Sequence, residues 1–125
     1  MTLLDIEHSI RPNFVWDKEP HRRWFTDKKI EGDVTLGMTM FAGVSRFHGF
    51  REKDVLKHTG MTKSQYTSSV TRFKRQLAEY QAYESNHFEA FEPAKRFHNK
   101  LLLIQNHIKL NHQGREYISL ADLEF

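Results

Sequence analysis

Tyr66, Val70, Phe73, Leu77 and Tyr80 recur at helical spacing through a stretch that is otherwise polar. At about 100° per residue they fall within roughly 80° of arc, so a helix here turns one narrow apolar stripe toward a core. A strand would scatter the same residues over both faces of a sheet. Just upstream, REKDVLKHTG carries Val55 and Leu56 in a shorter amphipathic segment that stops at Thr59-Gly60. Thr62 and Gln65 then match a capping box, which sets the start of the longer helix. Short helix, tight turn and long helix together read as a helix-turn-helix over Arg51–Tyr80.

The flanking segments extend the helical pattern. Asp33 is a plausible N-cap for a helix from Val34 to about His48, apolar on most of its circumference (Val34, Leu36, Met38, Met40, Phe41, Ala42, Val44, Phe47). A helix of that kind is buried, and we take it as the central one. Gly37 and Gly43 would permit close packing, and Gly49 would end it. The long helix continues to about Tyr83. Pro93 suits the first turn of a further helix running to about His112 and closed by Gly114. Its stripe is Phe97, Leu101, Ile104 and Ile108. Leu102, Leu103 and Leu110 widen that stripe, which signals either deep burial or a dimer contact.

Residues 1–13 fit one helical turn or an edge strand. Residues 14–30 combine two Trp and two Phe with five Lys or Arg, as an arm or short helix. Residues 117–125 fit a strand or a short helix. Six Gly and three Pro in 125 residues argue against a turn-dense β fold. The expected fold is therefore all-α: one domain over 1–125 containing four to five helices and a helix-turn-helix. No β-hairpin wing is evident in residues 81–92. Within it, 1–32 form the N-terminal arm, 33–83 the helix-turn-helix core, 93–113 the C-terminal helix and 114–125 a tail.

Several functional classes find no support. The chain has no cysteine, which excludes disulfides and thiolate metal sites and makes a reducing cytoplasm the simplest home. No basic start followed by an apolar run marks a signal peptide, and no apolar stretch is long enough to span a membrane. The eight histidines include no i, i+4 pair and no HExxH run, so the expectation is no metal site and no cofactor. Neither a glycine-rich phosphate loop nor GxSxG occurs, and Glu52/Asp54 and Asp122/Glu124 are spaced too closely to share a helix face. An enzyme is not expected.

Charge points elsewhere. The net charge is only +3, but seven Lys or Arg stand against two acids between Arg51 and Arg75, a local balance of +5. From Gln76 to Glu92 there are four Glu and no Lys or Arg. The basic charge thus gathers where the helix-turn-helix lies, as a footprint on phosphates requires. Opposite its apolar stripe, the long helix carries Ser64, Ser68, Thr71, Arg72 and Arg75, with Gln65 and Thr67 on the flanks and no acid before Glu79. Small hydroxyl residues let a helix approach base edges, and Gln or Arg can pair bidentately with adenine or guanine.

Residues 33–80 resemble the trihelical helix-turn-helix superfamily, with MTKSQYTSSVTRFKRQL in the recognition-helix position. The buried helix ahead of it is similar to the layout of the Trp-repressor-like group, which includes the C-terminal domain of the bacterial replication initiator DnaA. The resemblance covers about 48 of 125 residues through generic motifs. The Asp-His-Thr-Thr run that marks the initiator's DNA-reading helix is absent, so origin binding does not carry over. What the resemblance implies is that Ser64, Gln65, Ser68 and Arg72 are groove-facing.

The sequence therefore predicts sequence-specific binding to double-stranded DNA. Base contacts are expected from Ser64, Gln65, Ser68, Thr71 and Arg72, with Thr67 on the flank of the DNA-binding face, and phosphate contacts from Lys63, Lys74 and Arg75, with Arg22, Arg23, Lys28 and Lys29 of the arm adding to them. A transcriptional regulator or a replication or mobile-element accessory factor fits that pattern, as a homodimer paired through Phe97–Leu110. The competing expectation is a helical protein-binding adaptor or inhibitor that works through the acidic, aromatic segment Tyr80–Phe91.

Overall fold

An apolar helix must be enclosed, and the architecture follows from how this chain encloses one. In the computed structural model, which describes residues 1–10, 29–31, 34–85 and 92–112, the central helix α2 spans Leu36–Phe47. Ten of its residues are buried, from Gly37 round to Phe47. Around it lie α1 (Leu3–Ile10), α3 (Glu52–Thr59), α4 (Lys63–Ser85) and α5 (Glu92–His112). Helix α4 packs along α2, α5 packs on α4, and α1 closes the bundle against α2 and α5. The protein is an all-α bundle of five helices over the described residues.

The start of α2 differs from the expectation. Thr35, not Asp33, is its N-cap: the Thr35 Oγ1 accepts a hydrogen bond from the Met38 N–H at 3.1 Å. Val34 and Thr35 are held in extended conformation by a short antiparallel ribbon, β1 (Lys29–Glu31) with β2 (Val34–Thr35). The Lys29 pairing with Thr35 and the Glu31 pairing with Val34 enclose a bulge. Because Val34 is engaged in the ribbon, the helix cannot begin there. Its far end behaves as predicted. Gly49 has φ 86, its N–H donates to the Arg46 carbonyl, and the Phe50 N–H donates to the Ser45 carbonyl, a Schellman closure.

Gly43 permits a close approach between α2 and α4. A Cβ there would clash with Cγ, Cδ1 and Cδ2 of the Phe73 ring on α4, nearer than side chains tolerate. Phe73 in turn meets Phe97 of α5 edge-on, with centroids 5.7 Å apart. The stripes read from sequence are the ones buried: Tyr66, Val70, Phe73 and Leu77 on α4, and Phe97, Leu101, Ile104 and Ile108 on α5. Leu102, Leu103 and Leu110 are exposed, so deep burial is not the reason for the surplus.

Residues 3–10 form two turns of helix rather than one turn or a strand. The cause is a capping box the sequence carries at Thr2 and Asp5. The Thr2 N–H donates to the Asp5 carboxylate at 2.7 Å, and the Asp5 N–H donates to Thr2 Oγ1 at 3.2 Å. The backbone hydrogen bond from Thr2 holds the Asp5 carboxyl below its ordinary range. A carboxyl depressed in the folded state stabilises it above the unfolded pKa of about 3.9, and the contribution disappears as pH falls through the lower folded value. Amide exchange in the first turn of α1 is accordingly expected to quicken below about pH 4. Asp5→Asn should show no such acid dependence there, and an unchanged profile in that variant would refute the assignment.

Three histidines bind helices to one another. His58 Nε2 on α3 lies 3.1 Å from Glu7 Oε1 on α1, with its ring stacked on Phe41 of α2. His48 Nε2 is 3.1 Å from Gln105 Oε1 on α5. His107 Nδ1 is 3.0 Å from Ser9 Oγ. Since the Ser9 hydroxyl donates to the Asp5 carbonyl, it accepts from His107.

Candidate nucleic-acid interface

The turn between α3 and α4 is built from three residues with separate jobs. Gly60, at φ 78, takes the left-handed cap and donates its N–H to the Leu56 carbonyl at 2.8 Å. Met61 is buried and anchors the turn to the core, its N–H donating to Thr59 Oγ1. Thr62 caps α4: the Gln65 N–H donates to Thr62 Oγ1 at 3.1 Å and the Thr62 N–H donates to Gln65 Oε1 at 3.0 Å. At the first two positions of α4, Lys63 and Ser64, the backbone N–H groups have no carbonyl of their own helix to reach. That end of the helix is exposed and carries the positive end of its dipole.

Beyond the cap, Lys63, Ser64, Thr67, Ser68, Thr71, Lys74 and Arg75 are all exposed and lie on one side of α4. No acid interrupts them before Glu79. These seven are the predicted site residues that the fold brings together.

Two predicted base contacts are not available as such. Arg72 is 5% exposed and belongs to the packed side of α4. Ser69 and Gln76 are buried on the same shoulder. A helix wedged between α2 and α5 covers about 160° of its circumference at 100° per residue, twice the width of the apolar stripe. Arg72 falls inside that arc. Gln65 is half-buried and its carbonyl oxygen is occupied by the cap. Of the predicted arm contacts, Lys29 stands at the start of β1, while Arg22, Arg23 and Lys28 lie outside the described residues. Residues 86–91 of the acidic segment Tyr80–Phe91 do too; Tyr80 itself is half-buried and stacks on His98 at 4.0 Å.

No family model, curated protein or solved structure matches this chain.

An open groove of about 440 Å³ lies beside α1 and α3, lined by Leu3, Asp54, Lys57 and His58. Among the described residues no group of three or more His, Asp or Glu gathers to hold a metal ion, and no helix is long and apolar enough to cross a membrane. One basic element escapes the sequence reading of the site. Helix α5 carries Lys95, Arg96, Lys100 and Lys109 with no acid from Lys95 to His112. The uninterrupted run of one charge sign was the available signal.

Proposed function

We propose that the protein binds double-stranded DNA by laying the exposed side of α4, from Lys63 to Arg75, into a groove. The observation that carries this is the acid-free surface of hydroxyl and cationic side chains, rising from a capped helix start. An ordinary solvated helix face mixes Glu with Lys. Lys63, Lys74 and Arg75 are the phosphate contacts in this reading, assisted by the N–H groups of Lys63 and Ser64. Ser64, Thr67, Ser68 and Thr71 approach the base edges.

Burial of Arg72 and capping by Gln65 alter the expected chemistry. Hydroxyl groups hydrogen-bond to several bases, whereas discrimination of one base rests on bidentate side chains. Arg75, aligned with Ser64, Ser68 and Thr71, is the guanidinium that remains on this side. The protein is thus read as a DNA-binding factor of modest sequence preference, in a regulatory or accessory role in transcription or replication. Titration of the full chain with labelled duplex across a salt series tests this. Three cationic contacts to phosphate predict a slope of roughly −2.7 in log affinity against log salt. Absence of salt-sensitive binding at low ionic strength would sink the proposal.

A further inference from the structure

The exposed side of α4 is ordered across its width. At about 100° per residue, its seven side chains span roughly 140° of arc. Lys63 and Lys74 stand along one border, Ser68 and Arg75 along the other. Thr67 and Thr71, one turn apart, flank the midline, with Ser64 beside Thr71. The part of this helix that would reach deepest into a groove is therefore threonine and serine.

Two threonines are a costly choice for the outside of a helix. Their β-branched side chains lower helix propensity, and at an exposed position no packing offsets the loss. What they supply is chemical. A hydroxyl both donates and accepts, so it pairs with several bases and separates none. The side chains that could pair bidentately with adenine or guanine are not at the midline. Gln65 accepts from the Thr62 N–H in the cap, Arg72 is buried, and Arg75 stands on the border. The groups left at the midline that can tell one base from another are the methyls of Thr67 and Thr71.

Of the four bases, only thymine carries a methyl group on its major-groove edge, at C5. We propose that this side of α4 recognises thymine through that methyl, packed against Thr67 and Thr71, and so favours A·T-rich over G·C-rich duplex. The inference rests on the reading of α4 as the DNA-binding element and deepens it. Contacts of this kind discriminate gently. Loss of one buried methyl changes affinity by about fourfold, the scale of a modest sequence preference.

The test titrates the full chain, at one fixed low salt concentration, with two duplexes of the same A·T-rich sequence. One contains thymidine and the other deoxyuridine in its place, so the two pair alike and differ by the C5 methyl. The wild type is expected to bind the thymidine duplex about fourfold or more tightly. Thr67→Ser with Thr71→Ser keeps both hydroxyls, removes both protein methyls, and should bind the two duplexes equally. Both positions are exposed and serine suits a helix about as well as threonine, so the fold is retained, as a melting curve would check. Replacing cytosine by 5-methylcytosine in a G·C-rich duplex should raise wild-type affinity by a similar factor and leave the double variant unaffected. Equal, salt-sensitive binding of the thymidine and deoxyuridine duplexes by the wild type overturns the inference and leaves the DNA-binding reading intact. So does a thymidine preference that survives in the double variant, which would assign it to duplex shape. Binding of neither duplex overturns both.

Discussion

Phe73→Ala is expected to lower the free energy of unfolding by about 3–5 kcal/mol, the range for deleting a buried aromatic ring. Small domains are stable by only about 5–15 kcal/mol, so the variant should sit close to its unfolding threshold. The ring is fully buried, lies against Gly43 of α2 and meets Phe97 of α5 edge-on, so one deletion loosens three helices at once. Gly43→Ala approaches the same contact from the other side. Its methyl group would enter the space of the ring, and overpacking of a filled core costs about 1–3 kcal/mol. The informative experiment combines the two changes under urea denaturation. Once Phe73 is Ala, the Gly43→Ala methyl has room, and alanine in mid-helix is favoured over glycine by about 1 kcal/mol. Gly43→Ala should therefore change sign, destabilising with Phe73 in place and stabilising without it. Simple additivity of the two losses would show that the glycine and the ring do not share one contact.

The second large effect separates two arginines three residues apart. Arg75→Ala should weaken duplex binding by about tenfold to a hundredfold, since hydrogen bonds to charged groups contribute about 1.5–3 kcal/mol each. If Arg75 meets a phosphate, the salt slope should also fall by roughly 0.9. Its thermal midpoint should move little, because Arg75 is exposed. Arg72→Ala should do the reverse. It removes a side chain enclosed within the bundle, at a cost of about 1–3 kcal/mol in stability, and should leave the salt slope of the folded protein unchanged. Melting curves and anisotropy titrations on the same preparations would check both. An Arg72→Ala protein of normal stability that no longer binds DNA would contradict the placement of that side chain.

These two arginines also show where sequence periodicity loses its reach. A stripe drawn through apolar residues alone places Arg72 opposite the core, because arginine is counted as polar wherever it falls. The real buried arc is set by how many neighbours the helix has, and α4 has one on each side of Phe73. Gln65 shows a second limit. The capping box was legible from Thr62 and Gln65, and the side chain that closes it is the same one that resembled a base contact. One side chain cannot hold the cap and reach a groove together. The helix at the N-terminus was obscured for a different reason: eight residues give too short a pattern to distinguish helix from strand, although Thr2 and Asp5 already spelled the cap.

What the sequence determined by itself is the helices α2 to α5 and most of their ends. Local rules suffice for that: 3.6-residue apolar spacing, left-handed glycine at Gly49 and Gly60, and reciprocal caps at Thr62. It also determined which side of α4 is free of acid. Tertiary structure alone decided which polar side chains reach solvent, because that depends on contacts between helices far apart in the chain. Packing between α2 and α5 took Arg72 into the bundle and left Arg75 outside. It likewise turned Leu103 and Leu110 outward, since α5 had already given its other side to the core.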